Sequence, residues 1–247
     1  MKKIIGLIPV RLNSSRLKRK ALLEIEGIPI IIHTMKRAMM SKKLNKVIVC
    51  TDSLKISSIV KKFGGISLLT NSNHKNGTER IAEIANNVHS DFYIDIQGDE
   101  PLVDPKHIDY LIDWHLQNEQ FDIVVPFLNM NNGKDKNIVK IVSDNNNKVI
   151  YFSRSESPYP FKDNNFKFKK HLSIISFKKK SLLKFSKLKQ GNLEKIESIE
   201  LMRAIENNIP IGTFKLNGDS FSIDIKKNYN YAKKIMKNDK YFQKYKI

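Results

Sequence analysis

Short apolar runs bounded by turn residues alternate, through the first half of the chain, with segments whose apolar positions recur at helical spacing. Residues 4–10 (IIGLIPV), 46–51 (KVIVCT), 66–70, 92–97 (FYIDIQ) and 122–127 (DIVVPF) read as strands. Between them, 28–40, 54–63, 77–88 and 105–119 read as helices, with Ile56, Ile59 and Val60 on one face of the second. Parallel strands need a crossover between them, so this alternation predicts βαβ units and a doubly wound, mostly parallel α/β sheet. The second half changes character. Residues 139–143 and 148–153 read as strands paired across the polar turn 144–147, which predicts an antiparallel insertion. Beyond it, 170–177 (KHLSIISF) reads as a strand, 192–207 as a helix, 211–216 as a strand and 226–246 as a terminal helix. No repeat or Pro-rich linker divides the chain, and a single domain over 1–247 is expected.

Composition narrows the class. At 247 residues, 40% hydrophobic and 28% charged, the chain can bury a core and lies outside the disordered regime. Its longest apolar runs, at 4–10 and 28–33, fall well short of the roughly 20 residues that cross a bilayer. Residues 1–11 (MKKIIGLIPVR) read as a first strand, not a cleaved leader, so a cytoplasmic location is expected. The single cysteine, Cys50, has no intrachain disulfide partner and reads as a small buried hydrophobe at a strand end. Lys and Arg number 44 against 25 Asp and Glu, a formal net charge of +19. Residues 161–190 hold ten lysines against one aspartate, and 226–247 eight against one. A non-enzymatic nucleic-acid binder is therefore a remote alternative. Lysine is a point charge, however, and the arginines and recognition modules of base readout are lacking, so the excess reads as a solvated basic face.

Candidate chemistry sits where an open parallel sheet binds ligands, at the carboxyl ends of its strands. The loop after the first strand, 11–20 (RLNSSRLKRK), has no glycine, which excludes a dinucleotide-binding turn and a P-loop. It offers the hydroxyls of Ser14 and Ser15 and the cations Arg11, Arg16, Lys18, Arg19 and Lys20, a set suited to gripping a triphosphate. The fourth strand ends in IDIQGDEP, 94–101. There Gln97 can read a base or sugar edge, Gly98 frees the backbone, and Asp99 is a hard oxygen ligand suited to Mg²⁺.

The phrases IPVRLNSSRLKRKALLEIEGIPII, TNSNHKNGTERIAEI, DIQGDEPL, NIVKIV, YFSR and KHLSI, in this order and spacing, resemble the 3-deoxy-manno-octulosonate (KDO) cytidylyltransferases, also called CMP-KDO synthetases. The likeness covers nearly the whole chain. It implies a nucleotide-diphospho-sugar transferase-like fold and transfer of CMP from CTP to a 3-deoxy-ulosonic acid, with release of pyrophosphate. Mg²⁺, a homodimer and a place in lipopolysaccharide or capsule synthesis are implied with it. Carried over by position, Arg11, Ser14, Arg16 and Lys20 resemble the triphosphate loop, with Lys20 and Arg16 against the leaving pyrophosphate. The loop departs from the family at Lys18-Arg19, where Pro-Gly is usual, and at Ala21, where proline is usual. Gln97 matches a nucleotide or sugar contact, Asp99 a metal ligand, and Arg80 of NGTER a residue against the cytidine. The second Mg²⁺ ligand is expected at Asp224 in SIDIK, where the family shows Val-Asp-Thr-Pro. Read alone, an aspartate before a helix is an N-cap candidate.

For the sugar, the resemblance points to Asn137, Lys140, Arg154, His171, Glu197 and Glu200. The family's tyrosine and glutamine are replaced here by Ile175 and Leu201, which leaves open another acidic sugar, such as 8-amino-KDO or a nonulosonic acid. Glu197, Glu200 and Arg203 at helical spacing also read as an ion-pair network.

Overall fold

The computed structural model describes residues 2–13, 17–162 and 165–246. Contacts divide the chain into two compact units, Met1–Tyr110 with Ser220–Ile247, and Leu111–Asp219. In the first, β1 (Ile4–Val10) is buried at every position, as expected of a parallel strand covered on both faces. A 3-10 turn at Lys20–Leu22 leads to two short strands, β2 (Glu24–Ile25) and β3 (Ile28–Pro29). They are joined by Glu26 and Gly27 at φ 50° and 74°, the two positive values a tight hairpin turn requires. This pairing delays the helix expected from 28 until Ile30. Helix α1 (Ile30–Ala38), β4 (Lys46–Thr51), α2 (Leu54–Lys62), β5 (Ile66–Leu69), α3 (Gly77–Asn87), β6 (Phe92–Ile96) and α4 (Pro105–Gln117) follow.

The strands of this unit run parallel in the order β5-β4-β1-β6. The chain moves outward from β1 to β4 and β5, then returns to the other side of β1 as β6. That reversal opens a crevice at the carboxyl ends of β1 and β6.

The second unit is built around β7 (Ile123–Met130). Its other elements are β8 (Lys140–Ser143), β9 (Val149–Ser153), β10 (Phe168–His171), β11 (Ile174–Lys178), α5 (Lys179–Lys187), α6 (Asn192–Glu197), α7 (Met202–Glu206) and β12 (Ile211–Lys215). One edge of β7 pairs antiparallel with β11 and β10 in succession and the other pairs parallel with β12, while β10 pairs antiparallel with β8 and β8 with β9. The antiparallel insertion is therefore present, and β8 and β9 form the expected hairpin. Trp114 stacks on Phe121 and Phe214 at centroid separations of 5.6 and 5.0 Å. Gly212 admits these rings, since a Cβ there would lie 2.6 Å from Phe121. The chain returns to the first unit through α8 (Lys226–Met236).

Three expectations are corrected. The run 170–177 is two strands, because the chain bulges by two residues at Leu172 and Ser173 while staying on one edge of β7: Leu172 N–H donates to the Pro126 carbonyl at 3.1 Å between the two ladders. The helix expected over 192–207 is broken where Ser198 turns left-handed at φ 53°. The terminal helix stops at Met236. Beyond it, Asp239 pairs with the buried Arg37 of α1, and Tyr245 shares a 2.8 Å hydrogen bond with His33. Helix α5 was not predicted: lysines mask a stripe in which Ser181, Leu182 and Phe185 are buried. Cys50 is buried, and burial pushes its thiol pKa up. Among the described residues, no helix is long and apolar enough to cross a membrane.

Candidate active site

Two segments far apart in sequence meet beside the crevice of the first unit. The 3-10 turn after β1 carries Lys20, and the turn after β6 carries Asp99. The Lys20 ammonium donates to Asp99 Oδ2 at 2.5 Å and to Asp224 Oδ1 at 3.4 Å. One cationic group is thus shared by two carboxylates 125 residues apart in sequence. All three side chains are half-buried, so their charges act through less water than on an open surface. Asp224 does not cap α8. The N-cap is Ile225, and Asn228 Oδ1 accepts the backbone N–H groups of Asp224 and Ile225 at 3.3 and 3.2 Å. The Asp224 carboxylate is left to face Lys20.

Close approach in the crevice depends on Gly98, where a Cβ would stand 3.0 Å from the Pro9 carbonyl oxygen and 3.3 Å from Ile31. Helix α3 begins at Gly77 beside Pro9, and Asn76 caps it by accepting from Glu79 N–H at 2.8 Å. Its positive end is therefore directed at the carboxyl ends of the strands, as anion sites require. Gln97 spends its amide N–H groups on the buried Asp95, at 2.9 and 3.1 Å. Arg80 is buried rather than presented to a ligand. It donates to Asp52 Oδ2 at 2.9 Å and to Thr70 Oγ1, tying α3 to the ends of β4 and β5. Arg11 is exposed at the end of β1, while Ser14, Ser15 and Arg16 lie outside the described residues. Arg19, where the family has glycine, adopts a left-handed backbone at φ 54°, ψ 36°.

The residues expected against the sugar cluster within the second unit, but several are already committed. Lys140 is fully buried, and its ammonium donates to the carbonyls of Asp135, Ile138 and Arg154 at 2.9, 2.8 and 2.6 Å. Three donors meet three acceptors, which leaves none for a sugar; burial lowers the lysine's pKa. Arg154 donates to the carbonyls of Glu197, Lys136 and Ser198 at 2.7, 3.1 and 3.1 Å. Glu197 accepts from Ser153 Oγ and Arg154 N–H at 3.1 and 2.8 Å. Together they pin the end of β9 to the end of α6. Asn137 is exposed, with its amide on Asp135 Oδ1 at 3.1 Å, and Glu200 is half-buried in the turn before α7. Arg203 pairs with Glu194 through two bonds, at 2.7 and 2.6 Å. His171 on β10 has a ring Nε2 shielded from solvent with no hydrogen-bond partner, and burial holds its pKa down to about 4. The ring is neutral in ordinary buffers. Ile175 and Leu201 are both core residues.

Sequence reasoning missed Glu100, Ser220 and Ser222. Glu100 is buried and accepts from Ser220 Oγ and Ser222 Oγ at 2.6 and 3.0 Å. The only sequence signal was the pair of alternating serines leading to Asp224.

A parallel sheet with its ligand crevice at a strand reversal, a cationic turn on one side and a convergent carboxylate pair beside it, has the parts a nucleotidyltransferase needs. Comparison with known proteins narrows the class: a profile of the cytidylyltransferases matches residues 5–211, and the chain belongs to that family. It is similar to the 3-deoxy-manno-octulosonate cytidylyltransferase of Fusobacterium nucleatum, with 38% identity over 94% of this chain and 97% of that protein. The enzyme of the same description from Leptospira interrogans is also 38% identical, over 91% and 92%. Among solved structures, CMP:2-keto-3-deoxy-manno-octonic acid synthetase complexed with CTP superposes with a TM-score of 0.92. That likeness is at 30% identity and covers 96% of this chain and 99% of the other.

Proposed function

We propose that this chain transfers CMP from CTP to the anomeric 2-hydroxyl of 3-deoxy-manno-octulosonate, releasing pyrophosphate. The observation that carries this reading is the Lys20 ammonium between Asp99 and Asp224 at the carboxyl edge of the parallel strands, in a chain whose relatives bear that description. The anomeric oxygen attacks the α-phosphorus. A carbon–oxygen–phosphorus link forms, the bond to pyrophosphate breaks, and the hydroxyl proton passes to solvent. Such transfer needs little covalent help, so positioning and charge neutralisation provide most of the rate. Lys20, with Arg11 and Arg16 of the same loop, neutralises the departing pyrophosphate.

The carboxylate pair fits Mg²⁺: two hard oxygen donors already share one cationic group, and Mg²⁺ is typically held by one or two carboxylates plus substrate phosphates. Asp99 and Asp224 would hold the ion, which when bound supplies Lewis-acid stabilisation of phosphate charge and acidifies a nearby hydroxyl. A homodimer, a cytoplasmic location and a role in lipopolysaccharide or capsule synthesis belong to the same reading, resting on the family likeness alone. Light scattering tests the dimer.

The experiment is pyrophosphate release from CTP and Mg²⁺ with a panel of acids comprising KDO, 8-amino-KDO and a nonulosonic acid. KDO is expected to turn over fastest, and Asp99→Asn to abolish turnover. A chain that bound polyanions but released no pyrophosphate with any acid would overturn the reading.

A further inference from the structure

The segment that returns from β12 to α8 carries Asp224 yet belongs to no strand or helix. Something other than a backbone ladder must hold that carboxylate opposite Asp99. Glu100, the residue after Asp99, is 3% exposed, and each of its carboxylate oxygens receives one serine hydroxyl of the segment: Oε2 from Ser220 at 2.6 Å and Oε1 from Ser222 at 3.0 Å. The backbone completes the seam where Ile223 N–H donates to the Asp99 carbonyl at 3.0 Å, and the Ile223 side chain is fully buried. Glu100 is itself fixed in its turn: its N–H donates to the Gln97 carbonyl at 3.1 Å, and its carbonyl accepts from Val103 N–H at 3.2 Å. The next residue along the seam is Asp224, whose carboxylate reaches Lys20.

We infer that Glu100 is a positioning residue that clamps the 220–223 segment through Ser220 and Ser222 and thereby sets Asp224 opposite Asp99 for the divalent cation. This deepens the proposed function and rests on the reading of Asp99 and Asp224 as the metal pair. The residue type suits the task. An ionised carboxylate is an acceptor at both oxygens, so two hydroxyls bonded to it fix both the height and the rotation of the incoming segment. A glutamine of equal size keeps one acceptor and sets an N–H₂ group against the other hydroxyl. The demand on position is tight, because Mg²⁺ tolerates little departure from octahedral bonds of about 2.0–2.1 Å. Partners that hold a metal ligand in place typically change affinity by about 10- to 100-fold when removed.

The test titrates the full-length protein with Mn²⁺ alone, following the free-ion signal by electron paramagnetic resonance. Glu100→Gln, Ser220→Ala/Ser222→Ala, Asp224→Asn and Glu100→Gln/Asp224→Asn are compared with the parent. The serine double variant and Glu100→Gln are each expected to weaken Mn²⁺ binding by about 10-fold and to raise the Mg²⁺ concentration for half-maximal turnover. The KM for CTP at saturating Mg²⁺ should stay put. Because Glu100 acts through Asp224, adding Glu100→Gln to Asp224→Asn should change Mn²⁺ affinity no further. Parent-like Mn²⁺ binding in both Glu100→Gln and the serine double variant overturns the inference, as does a full multiplicative loss in the combined variant. Should Glu100→Gln fail to fold, the serine variant decides alone. Parent-like binding in Asp224→Asn would instead overturn the underlying reading of the metal pair.

Discussion

Lys140→Met separates a lysine that holds the fold from one that holds a substrate. The parent ammonium has no solvent exposure and donates to three backbone carbonyls at 2.6–2.9 Å. Methionine replaces the aliphatic stem but ends one atom short of the ammonium and offers no donor, so three buried carbonyls lose their partner. Hydrogen bonds to a charged group contribute about 1.5–3 kcal/mol each. Against this loss stands the relief of burying no charge, itself worth several kcal/mol. The balance is a destabilisation of about 2–4 kcal/mol. At about 2–4 °C per kcal/mol for a chain of this size, the melting temperature should fall by about 4–16 °C. Thermal and urea melts followed by circular dichroism give the stability, and pyrophosphate release at varied sugar concentration gives KM. The expected result is a lowered melting point with KM for the sugar acid unchanged in the folded fraction. An unchanged melting point together with a KM raised about 10-fold, the loss of one substrate bond of roughly 1.4 kcal/mol, would refute the reasoning.

Other perturbations test the same physics. His115 is buried, and because its Nε2 lies 3.2 Å from the Phe121 carbonyl that nitrogen carries the proton, while Ser176 Oγ lies 2.6 Å from Nδ1. Burial holds its pKa at about 4 against 6.5 unfolded, so the unfolded chain binds the proton first. Stability from this group is complete above pH 6.5 and falls by roughly 3 kcal/mol as pH drops to 4; in urea melts across that range, His115→Gln should flatten the decline. Arg19→Gly should raise stability by about 0.5–1 kcal/mol, since glycine removes the left-handed penalty at φ 54°, a gain read directly from the urea midpoint. Lys20→Met should lower kcat/KM for CTP by about 10²–10³-fold, the usual loss when one donor to developing charge is removed, with the melting point little changed. Asp52→Ala leaves the buried Arg80 guanidinium without its carboxylate and should cost about 3–5 kcal/mol in a denaturant titration.

Periodicity located the strands well where one strand pairs on both sides with parallel neighbours. The bounds of β1 and β4 coincide with the apolar runs 4–10 and 46–51, because burial on both faces makes the run itself the strand. It failed where two elements share one pattern. The alternation of 170–177 is the same whether the strand runs unbroken along β7 or bulges at Leu172 and Ser173. Nothing in 192–207 announces that Ser198 turns left-handed. Helix α5 escaped notice because nine residues with four lysines carry a narrow apolar stripe. At the site, motif likeness nominated Lys20, Asp99 and Asp224, but likewise nominated Arg80, Lys140 and Arg154, whose donors are held by the protein itself. A sequence states that a cation is present, not whether its hydrogen bonds are already made.

What the linear order of residues determined by itself was the βαβ alternation, the hairpin of the insertion, and the chemical inventory of a cationic loop and a strand-end aspartate. Those depend on local periodicity and residue type, which are complete in a window of a few turns. Only the tertiary structure decided that Asp224 stands outside the cap of α8 and comes within reach of Lys20, and that Glu100 receives the serines of the returning segment. Such meetings are closed by contacts across more than a hundred residues, and no local preference records them.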